Sequence, residues 1–109
     1  MIEITKDNYD ELVIESKKLV LVDFFSDGCE PCKALLPHME DLDKIYGEKI
    51  SFYKFNTSKA RRLAIREKVL GLPTILIYEN GVKKDELTKD DATKENIEAM
   101  IKRALWFFL

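Results

Sequence analysis

Cys29 and Cys32 are the only thiols in this chain of 109 residues, and they lie three positions apart. They follow the apolar run Leu19 to Phe25 and precede a segment with helical periodicity that starts at Lys33. Unpaired backbone N–H groups give a helix N-terminus a partial positive charge, so a thiol placed there is stabilised as the thiolate. Since the thiolate is the form that attacks a disulfide, the order strand, turn, two thiols, helix predicts a redox site.

Pro31 separates the two cysteines and suits the first turn of a helix, where its missing N–H costs nothing. Cys32 then lies one turn further along. From there its sulfur can close a disulfide with Cys29 or resolve a mixed disulfide held on Cys29.

Three other interpretations of the cysteine pair are less well supported. A structural disulfide across so short a loop would restrict the unfolded chain by only roughly 2 kcal/mol, and no feature of the sequence indicates secretion. A zinc site normally has four ligands, whereas the chain offers two cysteines and one histidine. Two inert buried cysteines are conceivable, but a proline-containing turn between a strand and a helix is a poor place to bury both. We therefore favour redox chemistry, without a bound metal.

Length and composition bound the class of protein. We expect one domain spanning residues 1–109, because this length supports a single hydrophobic core. A formal net charge of -2 without a basic cluster argues against nucleic acid as a partner. Neither a signal peptide nor a membrane span is evident, so we expect a cytoplasmic protein that does not bind membranes.

The hydrophobic pattern predicts the elements around the cysteines. A first helix is expected from Tyr9 to Ser16, with Asp7 or Asn8 as its N-cap. The helix after the cysteines should continue past Pro37 to Tyr46, because its apolar period does. The strands are predicted at Ile2 to Ile4, Leu19 to Phe25, Ser51 to Asn56, Thr74 to Tyr78 and Val82 to Leu87. Two further helices are predicted, one from Ala60 to Val69 and one with an apolar stripe of Ile97, Met100, Ile101, Ala104, Leu105 and Phe108.

Two strands joined by a helix form a parallel βαβ unit, and Asn80-Gly81 predicts an antiparallel hairpin. The sheet should therefore be mixed, with four to five strands. Because its central strands are apolar on both faces, four helices should cover it in a three-layer α/β/α sandwich.

Over essentially its whole length the chain resembles the thioredoxins. The resemblance is carried by five motifs in the family's order and at close to its spacings. They are Val22-Asp23-Phe24-Phe25, Cys29-Glu30-Pro31-Cys32-Lys33, Lys54-Phe55-Asn56, Gly71-Leu72-Pro73-Thr74 and Asn80-Gly81. The resemblance implies a thioredoxin-like fold and a protein disulfide reductase that needs no bound cofactor.

The resemblance also implies roles for particular residues. Pro73 should be a cis-proline beside the two sulfurs, although the residues alone indicate only a proline before a strand. Asp23 should be a buried carboxylate near Lys54 with a raised pKa. It should take up the proton that Cys32 must lose. The alternative is that Asp23 pairs with Lys54 for structure only. Contacts to the substrate are expected from neighbours of these residues, namely Gly28, Glu30, Pro31, Leu72 and Thr74.

The sequence departs from the family where most thioredoxins have a tryptophan before the first cysteine, because Gly28 stands there. Glu30-Pro31 replaces the usual Gly-Pro. In this the chain is similar to thioredoxins associated with glycine reductase systems, so we expect thioredoxin reductase and disulfide-containing proteins as partners, with glycine reductase components among the candidates. Two other functions are the alternatives to a thioredoxin-type reductase. One is a glutathione-dependent, glutaredoxin-like reductase, and the other is a non-catalytic binding module with this fold.

Overall fold

The computed structural model describes residues 1–108. The five strands are β1 (Ile2–Ile4), β2 (Leu19–Phe25), β3 (Ser51–Asn56), β4 (Thr74–Glu79) and β5 (Val82–Thr88). The α-helices are α1 (Glu30–Tyr46), α2 (Arg61–Arg66) and α3 (Lys94–Phe108). A π-helical segment (Asp10–Ile14) and two 3-10 turns (Thr57–Lys59 and Lys89–Asp91) complete the described elements. The side chain of Phe108, predicted as the end of the last apolar stripe, and the whole of Leu109 lie outside the described part.

The strands form one mixed sheet in the order β1-β3-β2-β4-β5. Parallel pairs join β1 to β3 and β2 to β3, whereas β4 is antiparallel to both β2 and β5. The predicted βαβ unit and the predicted hairpin are therefore both confirmed, and β2 lies in the centre of the sheet. The loop that carries the cysteines leaves the C-terminal end of this buried strand.

Alternate side chains of β2 enter two separate cores. Leu19 and Leu21 pack with α1 and α3 on one face of the sheet. Val20, Val22 and Phe24 pack with the π-helical segment and α2 on the other face. The period of two in a strand thus gives each face its own helical layer, and the predicted three-layer α/β/α sandwich is confirmed.

The first helical segment differs from the prediction. It is a π-helical turn, closed by a bond from the Glu15 N–H to the Asp10 carbonyl at 2.8 Å, and neither Asp7 nor Asn8 caps it with a side chain. Asn8 instead accepts a hydrogen bond from the Thr5 N–H at 2.8 Å, which closes the preceding turn. The completely buried side chain of Tyr9 anchors this segment to the sheet, so tertiary packing overrides the local capping signal.

Gly81 closes the hairpin between β4 and β5. Its φ is +77°, and a Cβ atom there would overlap the Ile14 carbonyl oxygen of the π-helical segment. Glycine is therefore required both by the backbone conformation and by the close approach of a neighbouring segment.

Two buried tyrosines link that segment to β4 and α2 on the same face of the sheet. The Tyr9 and Tyr78 hydroxyls lie 2.6 Å apart, and the Tyr78 hydroxyl donates to Glu67 Oε1 at 2.6 Å. Arg66 pairs with the other Glu67 oxygen at 2.9 Å and with Asp10 at 2.6 Å. The hydrogen-bonded group fixes the end of α2, immediately before the loop that leads to Pro73.

Tyr78→Phe should lower the free energy of unfolding by about 1 to 3 kcal/mol, because it leaves Glu67 Oε1 and the Tyr9 hydroxyl without their partner in a buried site. Urea denaturation of the oxidised protein measures this loss. Tyr53→Phe is the matched control, since it removes a hydroxyl from a half-buried tyrosine on β3. Equal stability of the Tyr78→Phe variant and the wild type would show that the hydroxyl network adds no net stability.

Candidate active site

Cys29 is the N-cap of α1, with φ −88° and ψ 101°. Its Sγ accepts a hydrogen bond from the Cys32 backbone N–H at 3.2 Å, the bond that an N-cap side chain makes with the first turn. In this oxidised form the two cysteines are joined by a disulfide, and their Cα atoms lie 5.3 Å apart. Cys29 is half-buried, whereas Cys32 is only 5% exposed. Cys29 is therefore more accessible to a reagent in solvent than Cys32.

The residues around the sulfurs leave Cys29 open. Gly28 is exposed, and a Cβ atom there would meet no other atom within 4 Å. The Glu30 side chain is 81% exposed and pairs with Lys33 at 3.2 Å. Pro31 occupies the first turn of α1, as its fixed φ favours.

Asp23 lies in the middle of β2 and is 2% exposed. Burial raises its pKa to about 7, and the positive charge of Lys54 lowers the pKa by a smaller amount. Lys54 is its register partner on β3, yet within residues 1–108 no hydrogen bond reaches Asp23 Oδ1. The expected rise in pKa is thus confirmed.

A cavity of about 170 Å³ connects this carboxyl group with the active site. Asp23, Cys32 and Lys54 all line it. The cavity gives the Asp23 carboxyl a path toward the buried sulfur, and a buried titratable group beside a reactive centre is typical of functional sites.

The loop before β4 forms the other wall of the site. Its Leu72–Pro73 peptide bond is cis, as the family resemblance implies. The Lys89 N–H donates to the Pro73 carbonyl at 2.7 Å, and the Thr74 hydroxyl donates to the Gly71 carbonyl at 2.6 Å. Thr74 is 2% exposed, so its side chain supports the loop, and its contact with a substrate stays a prediction.

A second support of the site was not predicted. The Asn56 side chain donates to Asp27 Oδ1 at 2.8 Å and accepts from the Ser58 N–H at 2.9 Å, while the Asp27 N–H donates to Ser58 Oγ at 3.0 Å. These bonds tie the turn before Cys29 to the end of β3. The only sequence signal was the position of Asn56 in a family motif, since its partners are distant in the chain.

Asn56→Ala should destabilise the protein by about 1 kcal/mol and loosen the turn before Cys29, because it removes the side-chain bonds from Asn56 to Asp27 and Ser58 and leaves only the direct Asp27–Ser58 bond. Amide hydrogen exchange at Asp27 should become faster. Asn96→Ala is the control, since it removes the bond from the exposed Asn96 side chain on α3 to the Asp91 carbonyl of the preceding 3-10 turn. Unchanged exchange at Asp27 in the Asn56→Ala variant would contradict the supporting role.

Two open grooves flank the cysteines. One, of about 560 Å³, runs from Ser26 to Leu72 and includes Leu70. The other, of about 640 Å³, is lined by Pro31, Pro73 and the exposed His38. Pro31 of α1 and Pro73 of the loop before β4 thus line one groove, and Leu72 lines the other.

Within residues 1–108 no cluster of three or more histidine, cysteine or acidic side chains could hold a metal ion. No helix in that part combines the length and apolar character needed to cross a bilayer.

Comparisons with known proteins agree with this geometry. The thioredoxin family model matches residues 1–103. A thioredoxin of Acetoanaerobium sticklandii is 58% identical over 103 residues, which cover 94% of this chain and 98% of that protein. A thioredoxin of Peptoclostridium acidaminophilum is 59% identical over 101 residues, covering 93% and 92%, respectively. A chloroplastic M-type thioredoxin of Pisum sativum is 38% identical over 84 residues, covering 77% of this chain and 49% of that protein. With its accessible and buried cysteines joined at the start of α1, the chain belongs to the thioredoxin family of thiol–disulfide oxidoreductases.

Proposed function

We propose that the protein reduces protein disulfides with Cys29 as the attacking sulfur and Cys32 as the resolving one. The Cys29 thiolate attacks one sulfur of the target, which forms a mixed disulfide and releases the other target sulfur as a thiolate. Cys32 loses its proton and attacks Cys29 Sγ, which releases the second target thiolate. The target gains two electrons, and the protein is left with the Cys29–Cys32 disulfide.

The single observation that carries this assignment is the difference in position between the two sulfurs. Cys29 lies at the positive end of α1 and is reachable from solvent, while Cys32 is buried behind it. A thiolate at Cys29 is stabilised by the N–H groups of the first helical turn.

Asp23 is proposed to accept the Cys32 proton during resolution. A carboxyl group with a pKa of about 7 takes up and returns a proton near neutral pH, which matches this task. Lys54, which also lines the cavity, limits the rise in pKa and so keeps the carboxylate form accessible. Pro73 and Leu72 are proposed to line up the target backbone, and Gly28, Glu30 and Pro31 to contact its side chains.

The proposed partners follow from the family. Thioredoxin reductase would return the disulfide to the dithiol, and disulfide-containing proteins would be the acceptors. Gly28 and the Cys29-Glu30-Pro31-Cys32 sequence favour glycine reductase components among them. We propose that residues 1–109 act as one domain, in the cytoplasm, as an electron carrier for cellular redox homeostasis.

A coupled assay tests the proposed function against the glutathione-dependent alternative. The protein is mixed with insulin and either NADPH with thioredoxin reductase or NADPH with glutathione and glutathione reductase. NADPH should be oxidised with thioredoxin reductase and insulin together, and not with the glutathione system. Turnover only with glutathione would assign the protein to the alternative, and no insulin reduction in either system would contradict reductase activity.

A further inference from the structure

The groove that runs from Ser26 to Leu72 lies on one side of the active-site turn, and we call it the Leu70 groove. Its volume is about 560 Å³, and its lining includes Ser26, Arg61, Ile65, Leu70, Gly71 and Leu72. Ser26 is three residues before Cys29, and Leu72 is bonded to the cis-proline. A segment bound in this groove would therefore lie next to the reactive sulfur.

Two large apolar side chains of the groove are exposed. Leu70 is 88% exposed and Ile65 is 58% exposed. Both belong to one concave surface, and neighbouring exposed apolar side chains around a cleft are typical of a surface that binds a partner.

Arg61 gives the groove a positive charge. Within residues 1–108 its guanidinium forms no salt bridge, whereas Arg66 on the same helix is paired with Asp10 and Glu67. The first turn of α2 contains arginines and no acidic residue, an arrangement that does not stabilise a helix. The net charge of the whole chain is -2, so this local positive charge does not follow from composition.

The acidic residues near the cysteines have other partners. Asp27 accepts from Asn56, and Glu30 pairs with Lys33 on α1. Neither residue lines the Leu70 groove. Arg61 is thus the charged side chain of the groove lining, and its charge is available to a carboxylate of a bound partner.

We propose that the Leu70 groove binds the segment next to the target disulfide and selects segments that carry an apolar side chain beside a carboxylate. Leu70 and Ile65 cover the apolar side chain, and Arg61 pairs with the carboxylate. This inference rests on the proposed reductase function, and it makes Arg61 a specificity-determining residue for that function.

Two synthetic peptides test the proposal. Both contain one intramolecular disulfide with a leucine beside it; one carries glutamates next to the leucine, and the other carries lysines at the same positions. Pre-reduced protein is mixed with excess oxidised peptide, and the loss of protein thiols is followed after acid quenching. The wild type should react about threefold faster with the glutamate peptide at low ionic strength, and the difference should shrink at high salt.

Arg61→Glu should reverse the preference, so that the ratio of the two rate constants changes about tenfold. Arg62→Glu is the matched control, because the neighbouring arginine is exposed and does not line the groove. Leu70→Ser should slow both peptides about threefold without changing their ratio. Ile45→Ser, which removes an apolar side chain that is 63% exposed on α1, should leave both rates unchanged.

Three outcomes would overturn the inference. They are an unaltered ratio in the folded Arg61→Glu variant, an equal change of the ratio in Arg62→Glu, and a wild type that reduces both peptides at the same rate. A wild type that reduces neither these peptides nor insulin would instead overturn the proposed function on which the inference rests.

Discussion

Cys29→Ser should lower the rate of insulin reduction by more than about a thousandfold, to the background set by the reductant alone. A hydroxyl at this position is not ionised near neutral pH and does not attack a disulfide, so the first bond of the exchange cannot form. The measurement is insulin turbidity with a small dithiol as the electron source. A variant that kept a tenth or more of the wild-type rate would rule out Cys29 as the nucleophile.

Cys32→Ser serves as the companion variant. It retains the thiolate at the N-cap, so it should still form a mixed disulfide but should release its target only by reaction with the external dithiol. Because Cys32 acts only on a mixed disulfide that Cys29 has formed, the double variant should lose no more activity than Cys29→Ser alone, and Cys32→Ser should lose less than either. Additive losses would indicate that the two sulfurs act separately.

The wild type should lose about 2 to 4 kcal/mol of its free energy of unfolding as the pH rises to about 7, and Asp23→Asn should abolish this loss. The pKa of Asp23 is raised from its ordinary value of 3.8 to about 7 in the folded protein, so between these pH values the folded state binds the proton more tightly than the unfolded state. The stability of the wild type therefore falls as pH rises through this window, and the loss is complete above about pH 7. Asparagine does not titrate and avoids this loss.

Urea denaturation of the oxidised proteins at pH 4 and at pH 8 measures the effect. Between pH 4 and pH 8 the free energy of unfolding of the Asp23→Asn variant should increase relative to that of the wild type. This holds whatever the stability of the variant at pH 4. Asp41→Asn is the control, since Asp41 is exposed and pairs with Lys94 at 3.4 Å, where removing a charge changes stability little. Parallel pH profiles for the Asp23→Asn variant and the wild type would show that the carboxyl group does not titrate with a raised pKa.

The strongest elements of the fold could be predicted from local patterns. The apolar run of β2, the Asn80-Gly81 turn and the helical periodicity after Cys32 each indicate one structure without reference to the rest of the chain. The same holds for the position of Cys29 at a helix start. The cis form of the Leu72–Pro73 bond is different, because only the family resemblance indicated it.

What could not be predicted depends on contacts between distant parts of the chain. The π-helical form of the segment after Tyr9 accompanies a hydroxyl contact to Tyr78, 69 positions away. The tie from Asn56 to Asp27 spans 29 positions. The burial of the Thr74 side chain likewise accompanies its contact with Thr88 on the neighbouring strand.

Trapping of the mixed disulfide tests most directly which sulfur attacks. Cys32→Ala and Cys29→Ala variants are each reduced, mixed with insulin and separated without reductant, and covalent adducts are identified by mass. The positions of the two sulfurs predict a stable adduct through Cys29 in the Cys32→Ala variant and little or none through Cys32 in the Cys29→Ala variant. An adduct of equal or greater yield through Cys32 would contradict the assignment of Cys29 as the nucleophile.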